Sequence, residues 1–441
     1  MKTNRNSAER QGLVGMALRL HLHQPAAITA VAFLVRLLVI LVFRTYRLPT
    51  GFGFAFEVGS VAGSIAQGHG FSSPFWYDSG PTALASPIYC YFLAGIFRTF
   101  GLYTNASALA AMIFDSLCSA FTCWAVFVLA NKTFDRRIAV LAAWLWAFSP
   151  SAIHASTRYI WETCVSTLLL TFSLMLAVRM LQATRILEWV RYGAVWAFSA
   201  LTNGAVLILF PFTLLWLLLR TKNRTPQYFA RLVIAGIAAA VCLTPWAIRN
   251  DIVFGSPMLR SGMGDALYAG MLFDTELGRA YPTHMLASPP EQKLYREMGE
   301  SNYMAKRRVD ASRMIEEHPM DFVRFSVTRC LLFWFGDWCR LAVREHGGLS
   351  VIGGLVLFGA IAAGGMIGLV LCFRRKSPYA WLYAIPFFTF PNLYYITHVE
   401  ARYRHPIEPV LIVLTAFAIG AILRGGREFG ENGASGYSRA N

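Results

Sequence analysis

Runs of apolar residues, most of them near the length that crosses a bilayer, recur along this chain, broken by short polar or basic turns, and no soluble fold accommodates that pattern. They cover residues 26–43, 105–130, 138–153, 164–180, 192–202, 205–219, 229–246, 349–373, 379–396 and 407–423. In hydrocarbon every backbone N–H and C=O must find its partner within the segment, so each run is predicted to be a helix. Composition agrees: 56% of residues are hydrophobic, 15% are charged and the mean hydropathy is +0.46, more apolar content than a soluble core and surface absorb. The expected fold class is all-α, a polytopic transmembrane helical bundle of about ten spans, forming one membrane-embedded domain over 1–441.

The formal charge of +16 invites a nucleic-acid reading, but Lys and Arg are scattered between the apolar runs and form no basic stripe with interleaved aromatics. Orientation in a bilayer explains them better. With the basic amino terminus cytoplasmic, successive crossings gather Lys132, Arg136, Arg137, then Arg179, Arg185, Arg191, then Arg220, Lys222, Arg224, then Arg374, Arg375 and Lys376 on that same side. The count requires 87–100 to be an interfacial helix that does not cross. Two long external loops then remain, 44–104 and 249–348, both expected to carry interfacial helices, and 425–441 reads as a disordered tail. Of the eight cysteines, six lie in or beside apolar runs without metal-ligand spacing.

Chemistry-bearing residues gather in the external loops. Glu57 opens a stretch in which Val58, Val61, Ala62 and Ile65 repeat at helical spacing, so a short amphipathic helix presents the acid at its start. The bland alternative is a carboxylate favouring the helix dipole. His154, Arg158 and Glu162 sit together in the next short loop, where Arg158 and Glu162 could equally form an i, i+4 ion pair. Before the last run stand His398, Arg402, Tyr403 and Arg404; two guanidinium groups around an aromatic suit a lipid phosphate, or plain interfacial anchoring. Arg249 is a weaker candidate of the same type. Arg36 and Asp115 are costly inside spans, and mutual pairing is their simplest resolution. No P-loop, HExxH or GxSxG pattern occurs, which leaves ATPase, zincin and serine hydrolase readings without support.

In order and spacing, the stretches EVGSVAGSIAQGHG (57–70), GPTALASPIY (80–89), AVLAAWLWAFSP (139–150), 158–162, PWAIRN (245–250) and RYRHP (402–406) resemble the membrane-embedded glycosyltransferases of the C superfamily. The resemblance is to the family 39 type, which includes protein O-mannosyltransferases and lipid A aminoarabinose transferases. It implies transfer of a sugar from a polyprenyl-phosphate donor to a lipid, glycan or protein acceptor. Glu57 and Glu162 match the family's two acidic positions, although the usual Asp-Glu pair is here a lone Glu57, and Asn203 replaces a basic residue. The expected partners are the donor, the unknown acceptor and the lipid bilayer, with no nucleic acid. No cofactor is required, and a divalent metal is not indicated. The expected location is the bacterial inner membrane, with both termini cytoplasmic and the site on the periplasmic side. The rival reading is a lipid or small-solute transporter in which no bond breaks.

Overall fold

The computed structural model describes residues 23–221, 225–272, 285, 288–336 and 349–423. The basic residues before 23, Lys222, Arg224 and the expected tail 425–441 lie outside the described residues. The described chain is helical, with one isolated bridge between Ser72 and Pro81. In order the helices are α1 (Pro25–Phe43), α2 (Phe52–Ala66), α3 (Pro87–Phe100), α4 (Asn105–Thr133), α5 (Arg136–Ala147), α6 (Pro150–Arg158), α7 (Thr163–Met180), α8 (Ile186–Thr202), α9 (Leu209–Arg220), α10 (Pro226–Phe254), α11 (Met263–Met271), α12 (Pro289–Glu317), α13 (Pro319–Phe335), α14 (Leu349–Arg374), α15 (Ala380–Thr389), α16 (Asn392–Ile396) and α17 (Glu408–Leu423). Two 3-10 turns, Gly204–Ile208 and Ala401–Ile407, lead into α9 and α17.

Local sequence sets the helix ends. The Thr104 side chain accepts from the Ser107 N–H, Asp135 from those of Arg137 and Ile138, and Thr225 from that of Tyr228, so each satisfies donors that a helix start leaves open. Gly255, at φ 68°, closes α10 in the left-handed conformation that a glycine adopts without strain.

Among the described residues six helices are long and apolar enough to cross a membrane: Pro25–Phe43, Asn105–Thr133, Thr163–Met180, Pro226–Phe254, Ile352–Arg374 and Ala401–Leu423. The pair α5 and α6, bent by 44°, makes a seventh when taken as one broken span. The expected ten are therefore not all present as full-length helices. The runs at 192–202, 205–219 and 379–396 give helices of 17, 12 and 10 residues, and they stop or start at Asn203 and near Pro391. These breaks lie against a polar cavity, where backbone groups no longer need a continuous helix.

α4 packs on α1, α5 and α7, while α14 packs on α17 and α8 on α10. Two crossings are backbone to backbone. A Cβ on Gly193 would sit 2.1 Å from the Ala235 carbonyl oxygen, and one on Gly368 would sit 2.1 Å from that of Leu414, so only glycine permits these approaches.

The buried charges do not pair with each other as expected. The Arg36 Nε donates to Ser119 Oγ at 2.9 Å, and its Nη1 donates to the carbonyls of Ala32 at 2.8 Å and Ala147 at 3.1 Å. Because α5 stops at Ala147 ahead of Pro150, its last carbonyls lack intrahelical partners, and the guanidinium supplies one. Asp115 instead accepts from Tyr89 Oη at 2.7 Å. That contact, with Phe92 tilted against Phe114 at 3.9 Å, lays α3 back along the first turns of α4.

Outside the bundle, loop 44–104 and helices α11 and α12 form a layer around a smaller cluster of Phe75, Met285, Tyr295, Tyr303 and Met304. Glu300 of α12 fastens that layer, accepting from Thr82 Oγ1 at 2.5 Å, Ala83 N at 2.6 Å and Tyr295 Oη at 2.7 Å.

Candidate active site

Helix ends and loops from distant parts of the sequence meet in one cavity of about 650 Å³. Glu57 comes from α2, Trp161 and Glu162 from the approach to α7, Asn203 from the end of α8, and Arg260 and Asp265 from the segment after α10. Tyr394, His398, Glu400, Arg402 and Tyr403 close it from α16 and the turn before α17.

Glu57 stands at a break. Ala55 and Phe56 leave helical geometry, Phe56 taking φ 51° and ψ −138°, so the regular part of α2 starts at Glu57. A bulky residue in that region is strained by about 1–3 kcal/mol, which the surrounding packing must over-determine. The Phe56 ring packs on Trp161 at 5.4 Å and on Phe52 at 5.7 Å.

Glu162 lies before the first turn of α7. Burial holds its carboxyl above the usual carboxylate range; Arg260 and Arg402 pull the other way, and the nearby Glu57 adds to the rise. Its Oε2 is buried with no hydrogen-bond partner. No ion pair to Arg158 forms among the described contacts.

Arg402 stacks over Trp161, its guanidinium carbon 3.7 Å from the ring centroid, and pairs with Glu400 at 2.9 Å. A flat cation held on a ring keeps its N–H edge directed and weakly solvated, which suits an anionic oxygen. Tyr403 Oη lies 2.7 Å from His398 Nε2 and stacks on Tyr394 at 4.8 Å.

The cavity therefore brings together Glu57, Glu162, His398, Arg402 and Tyr403, and leaves four other expected residues elsewhere. Arg404, 1% exposed, faces the protein interior, where its Nη2 meets Glu408 Oε1 at 3.1 Å and its Nη1 donates to the Trp334 carbonyl at 2.6 Å. Its charge is spent on Glu408. Arg249 is a staple: its guanidinium donates to the Thr82 carbonyl at 2.7 Å and the Phe71 carbonyl at 2.9 Å, joining loop 44–104 to α10. Arg158 is exposed and lies over Phe43 at 5.8 Å, and His154 packs against Tyr159 at 5.3 Å; neither lines the cavity.

Arg260 was missed by sequence reasoning. Its Nε and Nη2 donate to the Leu84 carbonyl at 2.9 and 2.6 Å, which fixes the guanidinium in the cavity wall. The available signal was a lone Arg in the connection GSPMLRSGMG (255–264), whose glycines allow close backbone approach. Among the described residues no group of three His, Cys, Asp or Glu side chains is placed to hold a metal ion.

Comparison with known proteins follows the same lines. Residues 84–248 match the family model for dolichyl-phosphate-mannose-protein mannosyltransferase. No curated protein matches the chain. Among solved structures, the oligosaccharyltransferase of Archaeoglobus fulgidus in its apo form superposes with a TM-score of 0.54 at 14% identity, over 91% of this chain and 51% of that one. The archaeal oligosaccharyltransferase AglB from Archaeoglobus fulgidus, in complex with an inhibitory peptide and a dolichol-phosphate, gives 0.52 at 14% identity over 91% and 50%. ArnT from Cupriavidus metallidurans bound to undecaprenyl phosphate aligns at 0.41 and 12% identity over 91% and 78%. The chain thus spans about half the length of the oligosaccharyltransferases it matches. It shares the fold of the archaeal oligosaccharyltransferase, and its residues 84–248 are similar to the dolichyl-phosphate-mannose-protein mannosyltransferase family.

Proposed function

We propose that this protein transfers a sugar from a polyprenyl-phosphate donor to an acceptor hydroxyl by inverting displacement. The observation that carries the reading is the convergence of Glu57, Glu162, Arg260 and Arg402 on one cavity. The family segment and the fold, both found among sugar transferases, support it, as does the dolichol-phosphate present in the archaeal relative. They lend nothing to the transporter reading.

In this mechanism the acceptor oxygen attacks the anomeric carbon as the bond from that carbon to the phosphate oxygen breaks. Glu57 takes the acceptor proton, and polyprenyl phosphate leaves with the bonding electron pair. Arg402 and Arg260 stabilise the charge that grows on the departing phosphate, and preorganised cations lose little reorganisation energy at that moment. Glu162 orients the acceptor or the transferred sugar. No step of this scheme is routed through a metal. His398 and Tyr403 hold the wall beside Arg402.

The same reading places the cavity outside the cell membrane, on the periplasmic side of a bacterial inner membrane. Helices that leave the cavity arrive at basic turns: α7 at Arg179 and, through the Gly204–Ile208 turn, α9 at Arg220.

The test uses purified protein in nanodiscs with a panel of polyprenyl-phosphate sugars and follows release of polyprenyl phosphate. Glu57→Gln is expected to lower turnover by about 10²–10⁴-fold with the Tm unchanged. Turnover at the wild-type rate in this variant would remove Glu57 from the mechanism, and directional uptake without release would replace transfer by transport.

A further inference from the structure

A ladder of aromatic rings leads out of the cavity. Trp161 lines the wall beneath Arg402, Phe56 packs on Trp161 at 5.4 Å, Phe52 meets Phe56 edge-on at 5.7 Å, and Trp76 meets Phe52 edge-on at 5.3 Å. The outer rings are open: Trp76 is 53% exposed and Phe56 36%. Phe75, next to Trp76 in sequence, is buried and lines the same cavity.

An indole half exposed on a loop has an ordinary explanation in membrane proteins, the aromatic belt at the lipid headgroups. The surroundings of Trp76 argue against it. Its neighbour Tyr77 lies under the Arg296 guanidinium at 5.0 Å, and Phe75 packs on Tyr295 at 5.4 Å. Both partners belong to α12, whose sequence PPEQKLYREMGESNYMAKRRVDASRMIEE is rich in charge on nearly every turn. Trp76 therefore sits in the water-facing layer, where open aromatic surface is costly and marks a contact site.

We propose that the acceptor is a saccharide, with one ring stacked on the Trp76 indole outside the cavity, its edge towards Phe52, and the next ring presenting its hydroxyl to Glu57. Pyranose rings carry C–H faces that pack on aromatic planes and hydroxyl edges that donate to carboxylates, and the ladder ends at both kinds of group. This rests on the transfer reading above and narrows its acceptor.

Saturation-transfer-difference NMR on the nanodisc protein without donor tests it, with maltotriose, cellotriose and triacetylchitotriose as probes and a Ser/Thr-containing hexapeptide as rival. At least one trisaccharide is expected to show transfer to ring C–H protons, with binding weakened about ten-fold in Trp76→Ala and regained in Trp76→Phe. Trp381→Ala, at an exposed indole on α15 away from the ladder, leaves binding unchanged. The inference is overturned if no trisaccharide binds at millimolar concentration, if Trp76→Ala binds as wild type, or if only the peptide shows Trp76-dependent transfer. Donor consumption is read separately. Trp76-dependent saccharide binding in a protein that consumes no donor would sink the transfer reading and leave this site standing.

Discussion

Glu162 carries a cost in the folded protein that its neutral analogue would not. Burial outweighs the pull of Arg260 and Arg402, so its folded-state pKa lies above the unfolded value of about 4.3. The folded state then holds the proton more tightly than the unfolded one. That stability is complete below the unfolded pKa and is lost as pH rises through the folded one. Glu162→Gln should therefore melt at a higher temperature than wild type at neutral pH, and the two curves should converge as pH falls to about 4. Its turnover should fall. A Tm offset that does not change with pH would mean that the variant acts through packing and not through charge. The two acids were legible in sequence because Glu57 opens a helical repeat of apolar residues in the long loop 44–104 and Glu162 stands in a short loop between two apolar runs. The choice between Arg402 and Arg404 was not. Both flank Tyr403, and only the 3-10 turn, with the Arg404–Glu408 pair one helical turn apart, sends one guanidinium outward to Trp161 and the other inward.

Elements carry the site by how closely they approach each other. α11 brings Met263 and Asp265 to the cavity wall, and it reaches that position because Gly264 lies flat against α12. A Cβ there would stand 2.0 Å from the Met304 carbonyl oxygen and 3.2 Å from the Arg308 nitrogen, both backbone atoms that cannot swing aside. Gly95 in α3 has nothing within 4 Å of its Cβ position. Helix propensity favours alanine at both positions by about 0.5–1 kcal/mol. Contact reverses the sign at one of them: Gly264→Ala should lose about 1–3 kcal/mol and part of the turnover, while Gly95→Ala should hold or gain Tm. Equal shifts in the two variants would show that α11 is not seated as described. Periodicity alone predicted α1, α4, α7, α10, α14 and α17, the long runs. The break at Asn203 was already visible, since one run ends at 202 and the next resumes at 205, but the stop of α15 at Thr389 inside the run 379–396 was not, because apolar composition continues through Phe390 to Ile396.

Over the whole molecule, the orientation turns on one helix. If α3 crossed the bilayer, His69 and Lys132 would face the same compartment; if it does not, they face opposite ones. α3 has 14 residues, a length of about 21 Å, short of the roughly 30 Å of hydrocarbon. It folds back along α4, with Tyr89 reaching Asp115 and Phe92 reaching Phe114, so it occupies the same layer as the first turns of that helix. Both His69 and Lys132 are exposed, and the seven described cysteines are buried or half-buried, so in a Cys339→Ser background engineered thiols should dominate labelling. With a membrane-impermeant maleimide on intact cells, His69→Cys should react at once and Lys132→Cys only after permeabilisation. Reaction of both from outside would make α3 a span, place every later basic turn outside, and set Glu57 on the opposite side of the membrane from Glu162 and Arg402, which the cavity they share does not allow.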